Sequence, residues 1–244
     1  MTEGDVGKQQ QRAERILDAA AELVLRWGYK RVTIEEVAKR AGIGKGTVYL
    51  HWKTREALFF TVLARDSVKM LGGIIAAMRA DAAEILLHRV LRRTLLLMKE
   101  FPLLQAMFTR DTEVLGNLVV ESSAQSLRSK KFESSREYYR LLRERGLLRA
   151  DLAPDAQIYA INAAMFGFYA TDPLLPAEER QPLEERAEIV ATMARNAFEP
   201  PDAPDPEVLR ALAPRIIEEF ERMRAQYMQF VQGSFTSTRE SPEE

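Results

Sequence analysis

The segment Val32–Trp52 has the pattern of two short helices joined by a tight turn. Thr33 stands at the N-cap position of the first helix, and Glu36 three residues later completes a capping box. Gly42 suits the left-handed position that ends such a helix. A second helix is expected from about Lys45, so this segment is limited to a compact helical pair.

The second helix of this pair is predicted to have one buried and one exposed side. Val48 and Trp52 are four residues apart and project together, as a buried pair does. At about 100° per residue, the opposite side carries Lys45, Gly46, Tyr49, Leu50 and Lys53, with Thr47 at its edge. Such a surface can approach the phosphates and base edges of DNA. The alternative that these residues allow is a solvated helical hairpin without a ligand.

The residues of this segment resemble the DNA-binding segment of TetR-family transcriptional regulators. The resemblance covers Thr33-Ile-Glu-Glu-Val-Ala-x-x-Ala-Gly-Ile-x-Lys-Gly-Thr-Val-Tyr-x-His-Trp52 and Lys53-x-Arg55-Glu-Ala-Leu58, and it extends back to about residue 10. Three residues depart from the usual pattern of the family: Trp52 stands in place of Phe, Arg55 in place of Lys, and Gly44 in place of Ser. The resemblance implies a three-helix, helix-turn-helix head of about residues 10–58, whose recognition helix lies in the major groove.

The resemblance also implies which side chains contact DNA. It assigns base edges or the adjacent sugar to Lys45, Gly46, Thr47, Tyr49 and Leu50. It assigns phosphates to Thr33, His51, Lys53 and Arg55. The alternative for His51 is an exposed histidine that the helix dipole favours at a helix C-terminus.

Beyond the head, apolar residues recur at helical spacing and no segment alternates as a β-strand does, so the predicted fold is all-α. A polar, disordered tail is expected at residues 1–8, before a first helix from about Gln9. The predicted domains are a helix-turn-helix domain (1–54), a helical effector-binding and dimerisation domain (55–200), and a proline-rich linker with an additional helix and a disordered tail (201–244). TetR relatives commonly end near residue 200, so the additional helix is extra.

Charge is distributed unevenly along a chain whose net charge is −1. Residues 1–58 carry 11 Lys and Arg against 8 Asp and Glu, whereas residues 200–244 carry 5 against 9. A basic head on an otherwise neutral or acidic chain is expected when only the head contacts phosphate.

Composition argues against several other classes of protein. The chain has no cysteine, which excludes disulfides and thiolate chemistry. No apolar run approaches the ~20 residues of a membrane span, and the polar N-terminus lacks a signal peptide, so a cytoplasmic location is expected. His51 and His88 lie far apart in the sequence and indicate no metal site. No nucleophile or carboxylate pattern indicates an enzyme, and no cofactor is expected.

Met and aromatic residues are frequent between residues 98 and 169. Residues of this kind can line an apolar ligand cavity, but at helical spacing they more often form an ordinary helical core. The resemblance favours a cavity, because TetR relatives bind small molecules in this region, and Asn162 would orient the ligand. The candidate ligand residues are Met98, Phe101, Met107, Phe108, Tyr138, Asn162, Met165, Phe166 and Tyr169.

These observations predict a sequence-specific, DNA-binding transcriptional regulator. It is expected to be a homodimer through helices at about 155–170 and 183–198, and a repressor released from a palindromic DNA operator by a small apolar or amphipathic ligand. One alternative is a regulator that responds to no ligand. Another is a helical lipid carrier or enzyme-like protein with a vestigial DNA-binding head.

Overall fold

The computed structural model describes residues 3–109, 111–115, 135–171 and 174–236. Every regular element in these ranges is helical and none of their residues forms a β-strand, which confirms the predicted all-α fold. Among these helices, none combines the length and the apolar character that crossing a membrane requires.

The α-helices follow one another through short connections. They are α1 (Glu3–Trp27), α2 (Ile34–Ala41), α3 (Lys45–His51), α4 (Arg55–Ala80), α5 (Leu87–Met98), α6 (Pro102–Thr109), α7 (Thr112–Leu115), α8 (residues 135–144), α9 (Pro154–Ala170), α10 (Leu183–Phe198) and α11 (Pro206–Thr236). Short 3-10 turns are formed by Tyr29–Arg31, Ala82–Ile85 and Ala177–Glu179.

The predicted start of the first helix was wrong. Helix α1 begins at Glu3, so the polar residues up to Lys8 are helical and not a disordered tail. Each residue added to an existing helix gains one hydrogen bond, so a polar extension needs no core of its own. The 3-10 turn Ala82–Ile85 is separate from α5, because Leu86 between them is extended, with ψ 143°.

Contacts between Cα atoms divide the chain into two compact units. Of the described residues, the first unit takes those up to Val68, residues 102–115, and those from Ala225 onward. The second takes Lys69–Phe101 and residues 135–224. These units differ from the predicted domains (1–54, 55–200 and 201–244), because α4 and α11 are single helices that each run through both units. The division by function stays a prediction.

In the first unit, α1 packs on α2 and α2 packs on α3. Helix α1 is also tied to the first half of α4 by the buried Arg65, whose Nη1 lies 3.2 Å from Glu14 Oε2 and 2.7 Å from Asp18 Oδ1. Helices α6 and α7 pack on α1 as well. Gly28 ends α1 with φ 75°, and a Cβ there would lie 2.7 Å from the carbonyl oxygen of Glu113, so this close approach requires glycine.

The second unit is built around the packing of α5 on α10. Tyr138 of α8 is buried, and its hydroxyl donates a hydrogen bond to the carbonyl oxygen of Ile85 at 2.8 Å. Phe220 of α11 packs edge-on against the Tyr138 ring, with centroids 5.5 Å apart. Arg79 of α4 pairs with Glu221 of α11 at 2.9 Å. The additional helix predicted after the proline-rich linker is therefore present, and this part of it is packed.

Candidate nucleic-acid interface

The start of α2 is fixed by the predicted capping box. The Thr33 hydroxyl accepts a hydrogen bond from the main-chain N–H of Glu36 at 3.2 Å, and Glu36 Oε2 accepts from the main-chain N–H of Thr33 at 2.7 Å. Two of the N–H groups that a helix start leaves unsatisfied are thereby paired. This confirms the capping box and fixes the direction in which α2 begins.

The turn between α2 and α3 is equally well defined. Gly42 adopts the left-handed conformation, with φ 69°, and its N–H donates to the carbonyl oxygen of Lys39 at 3.2 Å. The N–H of Ile43 donates to the carbonyl oxygen of Ala38 at 3.0 Å. These two bonds satisfy the last carbonyls of α2 in the manner of a Schellman motif. The direction of α3 relative to α2 is therefore set by backbone hydrogen bonds.

Helix α3 has the predicted buried side. Val48 is completely buried, and Trp52 at the C-cap is only 1% exposed. The indole Nε1 of Trp52 donates a hydrogen bond to Thr61 Oγ1 of α4 at 2.9 Å. No side chain caps the start of α3, as expected with Gly44 at that position. These contacts hold α3 firmly against the rest of the head.

The opposite side of α3 is exposed. Lys45, Gly46, Tyr49 and Leu50 are exposed there, Leu50 to 61%, and Thr47 is half-buried. Thr33 and Lys53, predicted to contact phosphates, are exposed as well. The ammonium of Lys45 lies 3.5 Å from Glu35 Oε2, but both side chains are largely solvated. Such an ion pair is weak, so Lys45 can exchange Glu35 for a DNA group at little cost.

Arg55 is engaged within the head. Its Nη1 donates to the carbonyl oxygens of Val32 at 3.1 Å and Tyr29 at 3.4 Å, and its guanidinium carbon lies 4.1 Å from the centre of the Tyr29 ring. The Tyr29 hydroxyl in turn donates to Glu56 Oε1 at 2.9 Å. Burial, followed by the hydrogen bond to Glu56, raises the pKa of Tyr29 to about 12, so the hydroxyl keeps its proton. These contacts favour a structural role for Arg55 over the predicted phosphate contact.

His51, the last residue of α3, is also placed differently from the exposed candidates. It is only 4% exposed, and its ring centroid lies 5.4 Å from that of Trp52. Burial, and to a smaller extent the nearby charge of Arg12, lower the pKa of His51. The ring is therefore neutral at neutral pH. This burial favours a packing role beside Trp52 over the predicted phosphate contact.

The head should lose stability as the pH falls below about 6.5, the ordinary pKa of histidine. Because the folded pKa of His51 is lowered, the unfolded chain takes up the proton first. The contribution of neutral His51 is complete above about pH 6.5 and is lost as the pH falls towards its folded pKa. Urea unfolding of the wild type and of His51→Gln across about pH 5–8 measures this difference. Parallel pH profiles for the two proteins would show the expectation to be wrong.

The structure places the candidate ligand residues in different environments. Buried members are Met98, Phe101, Tyr138, Met165 and Tyr169, and half-buried members are Met107, Phe108 and Asn162. The Asn162 amide donates to the carbonyl oxygen of Ile158 within α9, at 2.8 Å. Phe166 is exposed, which does not suit an enclosed site within one chain. The burial of the others fits a core as well as a cavity, so the ligand site stays a prediction.

A cavity of about 280 Å³ lies in the second unit, and none of the candidate ligand residues lines it. It is lined by Leu86, His88, Arg145, Gly146, Leu147, Arg195, Glu199, Pro200, Asp202, Ala203, Pro204, Asp205 and Val208.

Glu199 accepts a hydrogen bond from the main-chain N–H of His88 at 2.8 Å, and its other carboxylate oxygen lies 2.7 Å from His88 Nδ1. Glu199 thus caps α5. The two residues are 111 positions apart, so no local sequence signal predicted this pair. Among the described residues, no cluster of His, Asp and Glu is arranged to hold a metal ion.

Comparison with known proteins agrees with this geometry. Residues 16–62 match the family model of bacterial regulatory proteins, tetR family. An uncharacterised HTH-type transcriptional regulator of Bacillus subtilis, YvkB, is 32% identical over 75 residues, which are 31% of this chain and 39% of that protein. The fatty acid metabolism regulator protein of Bacillus subtilis is 27% identical over 128 residues, 52% of this chain and 62% of that protein. The chain thus spans about two fifths of the length of the first relative and about three fifths of the length of the second.

A solved structure extends the similarity beyond the head. The transcriptional regulator FadR from Bacillus subtilis, in complex with stearoyl-CoA, superposes with a TM-score of 0.60 over 74% of this chain and 96% of that one, at 18% identity. At this identity the match concerns the fold alone. Three observations are consistent with one another. They are the capped helix-turn-helix with its exposed α3, the match of residues 16–62, and the all-α fold shared with FadR. At residues 16–62, the chain thus carries an N-terminal segment of the kind found in bacterial regulatory proteins of the tetR family.

Proposed function

We propose that the protein is a sequence-specific transcriptional regulator that acts in the cytoplasm, as a homodimeric repressor on a palindromic operator. It works by binding DNA, without catalysing a reaction and without a cofactor. A small apolar or amphipathic ligand releases it from the operator. The names of its relatives, which are transcriptional regulators, support the general activity.

The observation that carries the proposal is the exposed side of α3, which the buried pair Val48 and Trp52 holds in place. The exposed side presents a cation (Lys45), a ring with a hydroxyl (Tyr49) and an apolar group (Leu50). Cations and hydroxyl groups form hydrogen bonds with base edges in the major groove, and apolar groups contact the methyl group of thymine. Gly46 between them leaves room for close approach of the DNA.

Selection of bound duplexes from random-sequence DNA tests the proposal. We expect two inverted half-sites, centred about one helical turn or a multiple of it apart, because the two recognition helices of a dimer are related by a two-fold axis. A Lys45→Ala, Tyr49→Ala double variant serves as the control and should enrich no motif. If the wild type enriches no sequence, the protein is not a sequence-specific regulator. A motif without inverted symmetry would contradict the palindromic operator.

The dimer is proposed to form through α9 and α10, which pack against each other. Large apolar side chains remain exposed on both helices: Tyr159, at 77%, and Phe166 on α9, and Ile189 on α10. Tyr159 and Phe166 are seven residues apart and therefore lie on the same side of α9. Adjoining exposed apolar groups mark interaction sites, and a two-fold partner would cover them.

Phe166→Glu should convert the dimer into a monomer and strongly weaken operator binding. The new carboxylate would be removed from water in the interface without a partner, which costs several kcal/mol. Sedimentation velocity at micromolar concentration measures the change. Leu25→Glu is the matched control, because Leu25 on α1 is exposed to the same 43% as Phe166 and lies outside both helices. A dimer that persists in Phe166→Glu would place the interface elsewhere.

The effector is proposed to carry a long apolar chain. Support comes from the relative that regulates fatty acid metabolism and from the similar structure that holds stearoyl-CoA. The buried Met98, Phe101 and Met165 are suited to such a chain, because methionine and phenylalanine side chains pack well against methylene groups. Long-chain acyl-CoA is therefore the first probe. Release of a bound operator by acyl-CoA, with free CoA as the control, is the measurement for this part of the proposal.

A further inference from the structure

The cavity of about 280 Å³ in the second unit is bordered by four segments of the chain. They are the start of α5, the loop that follows α8, the end of α10, and the linker that leads into α11. We call this space the linker cavity. The linker and α11 belong to the part of the chain that was predicted to be additional. None of the candidate ligand residues lines the linker cavity, so it is distinct from the proposed effector site.

Hydrogen bonds hold the walls of the linker cavity in place. Glu199, directly after α10, accepts from the main-chain N–H of His88 at the start of α5, at 2.8 Å. The main-chain N–H of Arg149, in the loop after α8, donates to the carbonyl oxygen of Phe198 at 2.8 Å. The end of α10 is thus bonded both to α5 and to that loop. A preformed cavity of this kind loses little conformational entropy when a ligand binds.

The linker cavity is lined by charged groups of both signs. Arg145 follows α8 and Arg195 lies on α10, whereas Asp202 and Asp205 belong to the linker. All four side chains are exposed. Asp205 accepts from the main-chain N–H of Glu207 at 2.8 Å and thereby caps α11. Within the described part of the chain, neither arginine forms an ion pair with either aspartate. Both signs of charge are therefore available to one ligand.

The apolar part of the lining is aliphatic. Leu86 and Leu147 are buried, and Val208 at the start of α11 is half-buried. Small-molecule sites usually measure roughly 300–1,000 Å³, so the linker cavity suits a ligand at the small end of that range. An aliphatic group of a few carbons can be removed from water against these three side chains.

We propose that the linker cavity binds a small zwitterion with an aliphatic side chain, such as a free aliphatic amino acid. Arg145 and Arg195 bind its carboxylate, because guanidinium groups donate paired hydrogen bonds to carboxylates. Asp202 and Asp205 bind its ammonium group. A ligand with only a negative charge would be repelled by the aspartates, and one with only a positive charge by the arginines. This proposal does not depend on the proposed function, since it concerns binding without DNA.

Isothermal titration calorimetry of the full-length protein with L-leucine tests the proposal. We expect one leucine to bind per chain. Isocaproate, which lacks the ammonium group, and isoamylamine, which lacks the carboxylate, should each bind at least about tenfold more weakly, because each loses a charge-assisted contact. A wild type that binds no leucine overturns the proposal. Isocaproate or isoamylamine binding as tightly as leucine would also overturn it, because one of the two charges would then contribute nothing.

Two charge variants and a matched control locate the bound leucine. Arg195→Gln and Asp202→Asn each remove one charge and should weaken leucine binding by about tenfold or more. Arg210→Gln is the control, because Arg210 is exposed on α11, two residues after Val208, but does not line the linker cavity. It should bind leucine as the wild type does. Thermal melts should show all these variants folded.

Ala203→Trp tests the cavity independently of charge. Ala203 is an exposed residue of the linker that lines the cavity, so a tryptophan there can fill the space without disturbing a buried core. It should abolish leucine binding and leave the melting temperature unchanged. A wild type that binds leucine, with Arg195→Gln and Ala203→Trp of unchanged affinity, would place the bound leucine elsewhere and overturn the proposal.

Discussion

Trp52→Ala should lower the free energy of unfolding of the head by about 3–5 kcal/mol, the usual cost of removing a buried aromatic side chain. The Trp52 ring is 1% exposed, and its indole N–H donates to Thr61 Oγ1 at 2.9 Å. Truncation leaves a cavity behind α3 and removes the hydrogen bond to α4. Since α3 depends on this packing, operator binding should fall along with stability. Thermal and urea unfolding, followed by circular dichroism, measure the loss.

Trp27→Ala is the matched control for that experiment. Trp27 at the end of α1 is 40% exposed, so the same substitution there should cost far less. Trp52→Phe keeps most of the ring but loses the hydrogen bond, and should fall between the wild type and Trp52→Ala. Equal unfolding midpoints for Trp52→Ala and Trp27→Ala would show that Trp52 does not hold α3 in place.

Tyr49→Ala and Lys45→Ala should each reduce the preference for the operator over random-sequence DNA by about 1–3 kcal/mol, the usual contribution of a base contact. Both side chains are exposed on α3, so their removal should leave the head folded. Titrations of each variant against both duplexes at several salt concentrations, together with thermal melts, measure the change.

Lys53→Ala provides the contrast to these two variants. Lys53 lies just beyond α3 and was predicted to contact a phosphate. Its loss should weaken binding to both duplexes equally and reduce the salt slope by about 1 per subunit. If Tyr49→Ala keeps the full wild-type preference for the operator, α3 is not the recognition helix.

The helix-turn-helix was predictable because its determinants are local in the sequence. Thr33 and Glu36 are three residues apart and satisfy each other, and Gly42 supplies the left-handed turn next to the helix it ends. The buried pair Val48 and Trp52 is a spacing of four within one helix. Short-range signals of this kind depend on a few neighbouring residues and need no knowledge of the tertiary structure.

The predictions for Arg55 and His51 depended on partners that the sequence does not place. Arg55 bonds to carbonyl oxygens 23 and 26 residues earlier in the chain, and main-chain acceptors carry no sequence signature. His51 is buried through the packing of the head, near Arg12 of α1.

If α3 confers sequence-specific DNA binding, the wild-type protein must bind its operator more tightly than other DNA. Dissociation constants should be measured at physiological salt for the selected operator and for a scrambled duplex of the same length and composition. The operator should bind at least about 10³-fold more tightly than the scrambled duplex, as specific sites typically do. A ratio near one would contradict it, because the head would then bind DNA only through its charge.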